Sequence, residues 1–198
     1  MNTLTRITPL GDVASIRQGH PFRGAIAAVA DGPVRVIQLK DLEPDGLPGS
    51  DLLLRTALHT RKAPDWVQDQ DVLMAARGNH PLAMLVSTPP QWTVCSPHLY
   101  VLRLCSDALL PAFLAWQLNQ RTAQAYLRQH AAGSRQQSLR RATVAQLPLC
   151  VPPLDQQRRI VTIAAAVKAE QRCLEALIHN RQREIAVVAE QLLQGCAA

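Results

Sequence analysis

The chain has 198 residues, of which 47% are hydrophobic, and this suits a globular domain with an appendage. It has 21 Lys and Arg against 15 Asp and Glu, and the resulting net charge of +6 favours a polyanionic partner. Its five cysteines are odd in number, scattered and in no CxxC pair, so they indicate neither a zinc ribbon nor a disulfide framework. The N-terminus lacks a signal-peptide pattern, and no apolar run approaches about 18 residues, so we expect a cytoplasmic protein without a membrane segment.

The first half of the chain has short β-favouring runs between glycines and prolines. These runs predict strands at Val34 to Leu39, Val72 to Ala76, Leu82 to Ser87 and Leu99 to Leu104. We therefore expect a small mixed sheet with long loops.

Helices are predicted to follow the sheet. Ser106 or Asp107 is a suitable N-cap for a helix that contains the apolar residues from Leu109 to Leu118. A second helix is predicted from Thr122 to Ala132, where Gly133 ends it. The order of sheet and then helices indicates an α+β domain.

The segment from Ala108 to Leu154 contains five arginines and no acidic residue. Within it, the loop from Gly133 to Ser138 offers an arginine fork for guanine, glutamine amides for adenine and hydroxyls for phosphate. A short helix near 139–146, beginning close to Arg140 and Arg141, and a strand at 147–151 are predicted after it. An ordinary polar connector with solvated arginines would have the same composition.

Other basic loops occur at 17–23, at Lys40, at 61–62 and at 77–80, and each of them is weak evidence alone. Together with the loop after Gly133, they supply the predicted DNA contacts. These are Arg17, His20, Arg23, Arg61, Lys62, Arg77, Asn79, Arg135, Gln136, Gln137, Ser138, Arg140 and Arg141.

From Asp155 to Gln194 there is no proline or glycine, which predicts one long helix with Asp155 as its N-cap. We divide the chain into a DNA-reading domain at 1–154 and a dimerisation and spacer helix at 155–198. Steps of four and three from Ile160 give ten positions, eight of them apolar, as in a coiled-coil seam. The predicted dimerisation residues are Ile160, Val167, Leu174, Ile178, Ile185, Val188 and Leu192.

Motifs for catalysis are missing from the sequence. It has no glycine-rich cofactor loop, no Walker loop, no GxSxG nucleophile elbow and no metal-ligand spacing among its six histidines. Thr88-Pro89-Pro90-Gln91 lacks the amide or carboxylate and the aromatic residue that would hold an extruded adenine. We therefore expect a binding protein without cofactor or metal, and not an enzyme.

Several motifs resemble the DNA specificity subunits of type I restriction-modification systems. Leu10-Gly11-Asp12 with Gly19 is similar to the start of that family, and Asp71 to Met74 with Arg77-Gly78 is similar to an internal strand and its glycine loop. The sharpest match runs from Gly133 to Gln157, where Pro152-Pro153-Leu154 precedes Asp155-Gln156-Gln157 and the family has Glu at the position of Gln156.

The resemblance implies a target-recognition domain followed by a coiled-coil helix. Specificity subunits usually have two such domains and two helices, so this chain resembles a half-subunit whose copies pair through their helices. It implies double-stranded DNA as a partner, together with an adenine methyltransferase subunit and, optionally, a restriction motor subunit. Two alternatives stay open: a stand-alone DNA-binding regulator, and a coiled-coil adaptor that binds protein and no DNA.

Overall fold

The computed structural model describes residues 6–43, 46, 47, 49, 51–58, 60, 63–78, 81–133 and 137–195. The chain divides into two compact units, residues 1–158 and 159–198. Among the described residues, no helix combines the length and apolarity that a membrane span requires.

A four-stranded antiparallel sheet lies at the centre of the first unit. Its strands, in spatial order, are β2 (Ala14–Gln18), β8 (Leu99–Leu104), β5 (Val72–Ala75) and β6 (Ala83–Leu85). The register places Ile16 opposite Leu102, and Leu102 opposite Val72. Every residue of β5 is buried. A strand that is buried on both faces has apolar residues along its whole length, and β5 has this composition.

A smaller three-stranded sheet packs against one face of the central sheet. It consists of β4 (Leu54–Thr56), β3 (Val34–Ile37) and β7 (Thr93–Cys95), with β3 and β7 parallel. Ile37 and Cys95 from this sheet pack in one apolar cluster with Leu73 and Val101 of the central sheet. The single predicted mixed sheet is therefore two sheets that share a core.

The remaining elements frame this core. A two-stranded ribbon joins β1 (Arg6–Pro9) to β9 (Pro148–Val151), and the short helix α1 (Leu10–Val13) follows β1. The helices are α2 (Pro111–Leu118), α3 (Arg121–Gln129), α4 (Arg141–Ala145) and α5 (Leu154–Gly195). The α+β class and the long C-terminal helix are confirmed.

Three predicted helix boundaries are wrong. The helix α2 begins at Pro111 with Leu110 as its N-cap, because proline has no N–H to lose and its fixed φ suits the first helical position. The helix α3 ends at Gln129, well before Gly133, and His130 forms its C-cap. The helix α5 begins one residue before Asp155, whose carboxylate accepts a hydrogen bond from Arg158 within the first turn.

Within the first unit, Gln157 joins the first turn of α5 to the segment before α2. Its side chain is fully buried, and its amide nitrogen donates to the carbonyls of Ala108 and Pro152, both at 2.7 Å. Its amide oxygen accepts from the N–H of Leu110 at 2.8 Å. These three bonds give Gln157 a structural role at the start of α5. The sequence pattern alone did not predict that role.

Candidate nucleic-acid interface

The register of the sheets brings several basic loops to one end of the first unit. Strand β2 ends at Gln18, β5 ends at Ala75 and β8 begins at Leu99, and these residues lie at the same end of the central sheet. The parallel strands β3 and β7 also end here, since the carbonyls of Cys95 and Ser96 accept from the N–H groups of His20 and Leu99, and the N–H of Ser96 donates to the carbonyl of Ile37. We call the segments 18–23, 38–40, 76–78, 96–98 and 137–141 the basic end.

The charges at the basic end are mainly positive. Arg23, Lys40, Arg77, Arg140 and Arg141 are exposed, and none of them forms an ion pair with a described carboxylate. The carboxylate of Asp41, beside these segments, is buried and accepts the N–H of Gln38 at 2.8 Å. A polyanion at this end would meet several cations whose charge is not already matched by described carboxylates.

The opposite end of the central sheet is acidic. Asp12 precedes β2, Asp69 and Asp71 precede β5, and Asp107 follows β8. Asp71 is 1% exposed and forms a two-pronged ion pair with Arg103, at 2.7 Å for each nitrogen–oxygen contact. The hydrogen bond and charge of Asp71 raise the pKa of Arg103, which burial alone would lower. The two ends of one sheet thus differ in sign.

The loop after Gly133 ends against the turn that follows β5, and the residue that ends it also pairs with Ala132 before it. Ser138 forms β-bridges with both Ala132 and Arg77, and the N–H of Gly78 donates to the carbonyl of Gln137 at 2.9 Å. Gly133 has a φ of 106°, a conformation that glycine adopts without strain. Two basic segments far apart in sequence therefore meet at one place.

Tyr100 fixes the chain just before Arg140 and Arg141. Its hydroxyl donates to the carbonyl of Leu139 at 2.8 Å, while the N–H of Leu139 donates to Ala76 at 2.9 Å. Burial raises the pKa of Tyr100, and the positive charge of Arg141 acts in the opposite direction. Arg140 is the N-cap residue of α4 and Arg141 begins the helix, near the positions that the sequence predicts.

His20 lies where the loop after β2 folds onto the turn before β8. The N–H of Gly19 donates to Leu99, and the N–H of His20 donates to Cys95. The His20 ring meets Phe22 edge to face, with ring centroids 4.8 Å apart. Burial lowers the pKa of His20 below its ordinary value, so its imidazole is neutral at neutral pH.

The predicted contact residues have different surroundings. The Nη1 atom of Arg17 lies 2.9 Å from both carboxylate oxygens of Asp65, so its charge is already matched. The structure brings the others that it describes to the basic end: His20, Arg23, Arg77, Gln137, Ser138, Arg140 and Arg141. The rest lie outside the described residues: Arg61, Lys62, Asn79, Arg135 and Gln136.

Sequence reasoning missed Gln38, Ser96 and His98, which also lie at the basic end. Gln38 is nearly 60 residues from Ser96 and His98 in sequence, and it comes near them only because β3 and β7 are parallel neighbours. No local sequence signal reports that pairing. The Pro97-His98 turn before a strongly apolar strand is the one feature that could have indicated a loop at a sheet edge.

The described side chains of the basic end carry groups that can bind a ligand through charge and hydrogen bonds. Among them, no group of three His, Cys, Asp or Glu residues is placed to hold a metal ion. Burial raises the pKa of Cys95 to about 12, with Asp65 and Asp71 adding to the rise, so this thiol stays protonated. Arginine, lysine and amide groups on loops can contact phosphates and base edges instead.

Comparison with known proteins identifies the fold. No family model matches the chain, and no curated protein matches its sequence. The type I restriction-modification S subunit from M. genitalium is a structural neighbour with a TM-score of 0.58 and 13% identity, over 92% of this chain and 44% of that one. The HsdS subunit from Thermoanaerobacter tengcongensis has a TM-score of 0.61 and 17% identity, over 86% of this chain and 39% of that one.

A further neighbour comes from a study of complex assembly and conformational transition in the type I restriction-modification system. It has a TM-score of 0.61 and 18% identity, over 86% of this chain and 40% of that one. The chain thus spans about two fifths of the length of these structures. The chain has the fold found in part of type I specificity subunits, and the structural resemblance that the sequence indicates is confirmed.

Proposed function

We propose that the first unit is a DNA-reading domain that contacts double-stranded DNA through its basic end. The observation that supports this most strongly is the segregation of charge, with cations that pair with no described carboxylate at one end of the sheet and several carboxylates at the other. Cations such as Arg140 and Arg141 would contact phosphates, and the residues of the 133–138 loop would contact base edges. The fold shared with specificity subunits supports the same function.

The proposed role is to choose a bipartite DNA site for partner subunits in the cytoplasm. An adenine methyltransferase subunit would perform the chemistry, and a restriction motor subunit is an optional further partner. The absence of cofactor and catalytic motifs from the sequence supports this division of labour. The chain itself would be non-catalytic and would bind no cofactor.

We further propose that two copies pair through α5. The seam residues from Val167 onward are exposed, with Ile185 at 69% and Leu192 at 67%, whereas Ile160 and Ala164 are half-buried. An apolar stripe along a helix roughly 60 Å long favours association or aggregation unless another surface covers it. A second copy has the matching stripe and the same spacing.

The polar residues of the seam favour an antiparallel pair. If the helices run in opposite directions about Ala176, every seam position faces another seam position. The pairs are Ile160 with Leu192, Ala164 with Val188, Val167 with Ile185, Gln171 with Arg181 and Leu174 with Ile178. The two polar seam residues then face each other, and Arg181 can donate to the amide oxygen of Gln171.

A parallel pair would instead place Arg181 against Arg181 of the second copy inside the seam. The antiparallel pair has its own like-charge contact, because Glu175 then lies near Glu175 of the second copy. That contact lies beside the seam, where water and salt screen it, whereas the arginine pair would lie between the helices. The balance favours the antiparallel arrangement.

Cysteine cross-linking tests the orientation. In a background with the native cysteines replaced by serine, Ile160→Cys chains mixed with Leu192→Cys chains should form a mixed disulfide dimer. Either variant alone should stay largely unlinked. Efficient linking of each variant with itself, and none in the mixture, would show a parallel pair.

DNA selection tests the proposed function against its alternatives. Duplexes selected from a random pool should share a bipartite sequence, and affinity should fall steeply with salt. A coiled-coil adaptor would select nothing. A stand-alone regulator would bind its selected site with full affinity by itself, whereas addition of the methyltransferase subunit should tighten the binding of a specificity subunit.

A further inference from the structure

A small ladder of backbone pairs extends the basic end beyond the last residue of β5. Ser138 lies at its centre, and it pairs antiparallel with Arg77 on one side and with Ala132 on the other. The pair with Ala132 has two hydrogen bonds, one in each direction, at 2.8 and 2.9 Å. Segments that are distant in sequence thus meet in one structure, which we call the end ladder: residues 76–78, 132 and 137–139.

The hydrogen bonds around Arg77 and Ser138 decide where their side chains lie. The N–H of the residue after each of them donates to the carbonyl of the residue before the other, both at 2.9 Å. Such a pair has its Cα atoms about 4.5 Å apart and both side chains on the same face. The end ladder therefore places an arginine beside a hydroxyl. Arginine makes the commonest specific contact with guanine in DNA, and a serine hydroxyl can bond to a neighbouring base edge.

Tyr100 connects the end ladder to the central sheet. Its side chain is 5% exposed, and its hydroxyl donates to the carbonyl of Leu139 at 2.8 Å. Burial raises the pKa of Tyr100, so the phenol stays protonated and can donate this bond at neutral pH. Strand β8 pairs Tyr100 with Met74 of β5. The connection thus runs from the interior of the sheet to the residue that follows Ser138.

The hydroxyl of Tyr100 is a polar group where a phenylalanine would bury the same ring. A hydroxyl loses its contacts with water when it is buried, and a hydrogen bond must offset that loss. The bond from Tyr100 ends on the backbone of the end ladder, so its effect is to fix the position of that backbone. Position matters for base reading, because a hydrogen bond weakens steeply when its geometry changes.

We propose that Tyr100 is a positioning residue for base reading by Arg77 and Ser138. The inference rests on the proposed function, because it assigns these two side chains to base edges of DNA. Tyr100 is buried and would itself contact no base. Without its hydroxyl, the end ladder would keep its own hydrogen bonds but occupy a wider range of positions, and a correct base pair would be distinguished less well from a wrong one. Phosphate contacts carry no sequence information, so affinity for unselected DNA would stay the same.

Tyr100→Phe removes one hydroxyl and keeps the ring, and Thr56→Val is its matched control. Thr56 is also buried, and its hydroxyl donates to the carbonyl of Ala27 at the same distance of 2.8 Å. Thr56 lies opposite Val34, the first residue of β3, whereas the basic end lies beyond the last residue of that strand. Both variants should lower the melting temperature by similar amounts, so a loss of stability alone cannot produce a difference between them.

Hydrogen exchange of the free full-length chain measures the connection without DNA. The amides of Ser138 and Leu139 should exchange about fivefold faster in Tyr100→Phe than in the wild type, as expected for the loss of one neutral hydrogen bond. Thr56→Val should leave the exchange of these two amides unchanged. Unchanged exchange in Tyr100→Phe would overturn the inference without any measurement on DNA.

Competition between the selected duplex and duplexes with one changed base pair measures base reading. Tyr100→Phe should reduce the preference for the selected duplex about fivefold and leave the salt slope unchanged, and Thr56→Val should change neither. Arg77→Ala should reduce the preference about tenfold in the wild type. In the Tyr100→Phe background the same change should have a smaller effect, because an arginine that is out of position contributes less.

The outcomes separate this inference from the proposed function. Equal losses of affinity for selected and unselected DNA in Tyr100→Phe, or additive effects of Tyr100→Phe and Arg77→Ala, would overturn the inference. A wild type that prefers its selected duplex and a Tyr100→Phe variant with the same preference would also overturn it, and the proposed function would stand. A wild type that prefers no duplex would contradict the proposed function, and the reading role of Arg77 and Ser138 with it.

Discussion

The two units of the chain obtain their stability in different ways. In the first unit, apolar side chains from distant segments bury one another, as Ile37, Leu73 and Val101 do in their shared cluster. In α5, apolar side chains such as Leu174 and Ile178 are more than half exposed. The first unit therefore contains its own core, whereas α5 leaves apolar side chains exposed to solvent.

The largest effect should come from charging the seam of α5. Leu174→Glu with Ile178→Glu would place like charges near the centre of the antiparallel pair, and we expect monomers where the wild type is dimeric. Analytical ultracentrifugation measures this, with Arg172→Ala and Arg183→Ala, which lie off the seam, as the control. A wild type that is monomeric at tens of micromolar would contradict the pairing.

Gln157 and the first turn of α5 belong to the first unit, so the loss of Gln157 tests whether that turn depends on its contacts with the rest of the same unit. Gln157→Ala removes three hydrogen bonds, one of them to the buried carbonyl of Pro152, and it should lower the free energy of unfolding by about 2 to 4 kcal/mol. The neighbouring exposed Gln156→Ala should change it by less than about 0.5 kcal/mol. Urea denaturation at one fixed protein concentration compares them, and equal effects would show that the bonds contribute nothing.

Gly19 tests how tightly the basic end is packed. A Cβ atom at Gly19 would lie 2.0 Å from the carbonyl oxygen of Ser96 and 2.6 Å from that of Cys95, so the backbone would have to shift. Gly19→Ala should cost about 1 to 3 kcal/mol of stability. Gly49→Ala, where a Cβ meets nothing within 4 Å, is the control. Thermal unfolding that does not distinguish the two variants would show that the loop accommodates the methyl group.

The difference between the two units also explains which helices and strands could be predicted from the sequence. The helix α5 follows from local features, a seam of regular spacing and the absence of proline and glycine, so the prediction and the structure differ by one residue at each end. The strand β5 was predicted because all of its residues are buried and apolar, and β8 was predicted from its mostly apolar run, whose first four residues are buried. The strands β2, β4 and β7 were missed, since they are short and have polar residues between the apolar ones.

The candidate interface was predictable only in part. Arg140 and Arg141 lie in an acid-free stretch that is visible in the sequence. The meeting of Arg77 with Ser138 depends on strand register, which local patterns do not determine. The pairing of Arg17 with Asp65 depends on a contact between residues 48 positions apart, and composition alone made Arg17 look available to a ligand.

Removing two cations from the basic end should have the smallest effect, and it concerns affinity and not folding. Arg140→Ala with Arg141→Ala should weaken binding to all duplexes about tenfold and reduce the salt slope by about one to two. Arg172→Ala with Arg183→Ala removes the same charge from α5 and should change neither quantity. Equal losses in both pairs of variants would show that net charge, and not the basic end, controls binding.

Methylation mapping of cellular DNA tests the central proposal most directly. Cells that express a cognate adenine methyltransferase subunit would be compared with and without this chain. We predict methylated adenines in one bipartite sequence only when the chain is present, and a different sequence when residues 1–151 are replaced by another recognition domain. A methylation pattern that is the same with and without the chain would contradict the account.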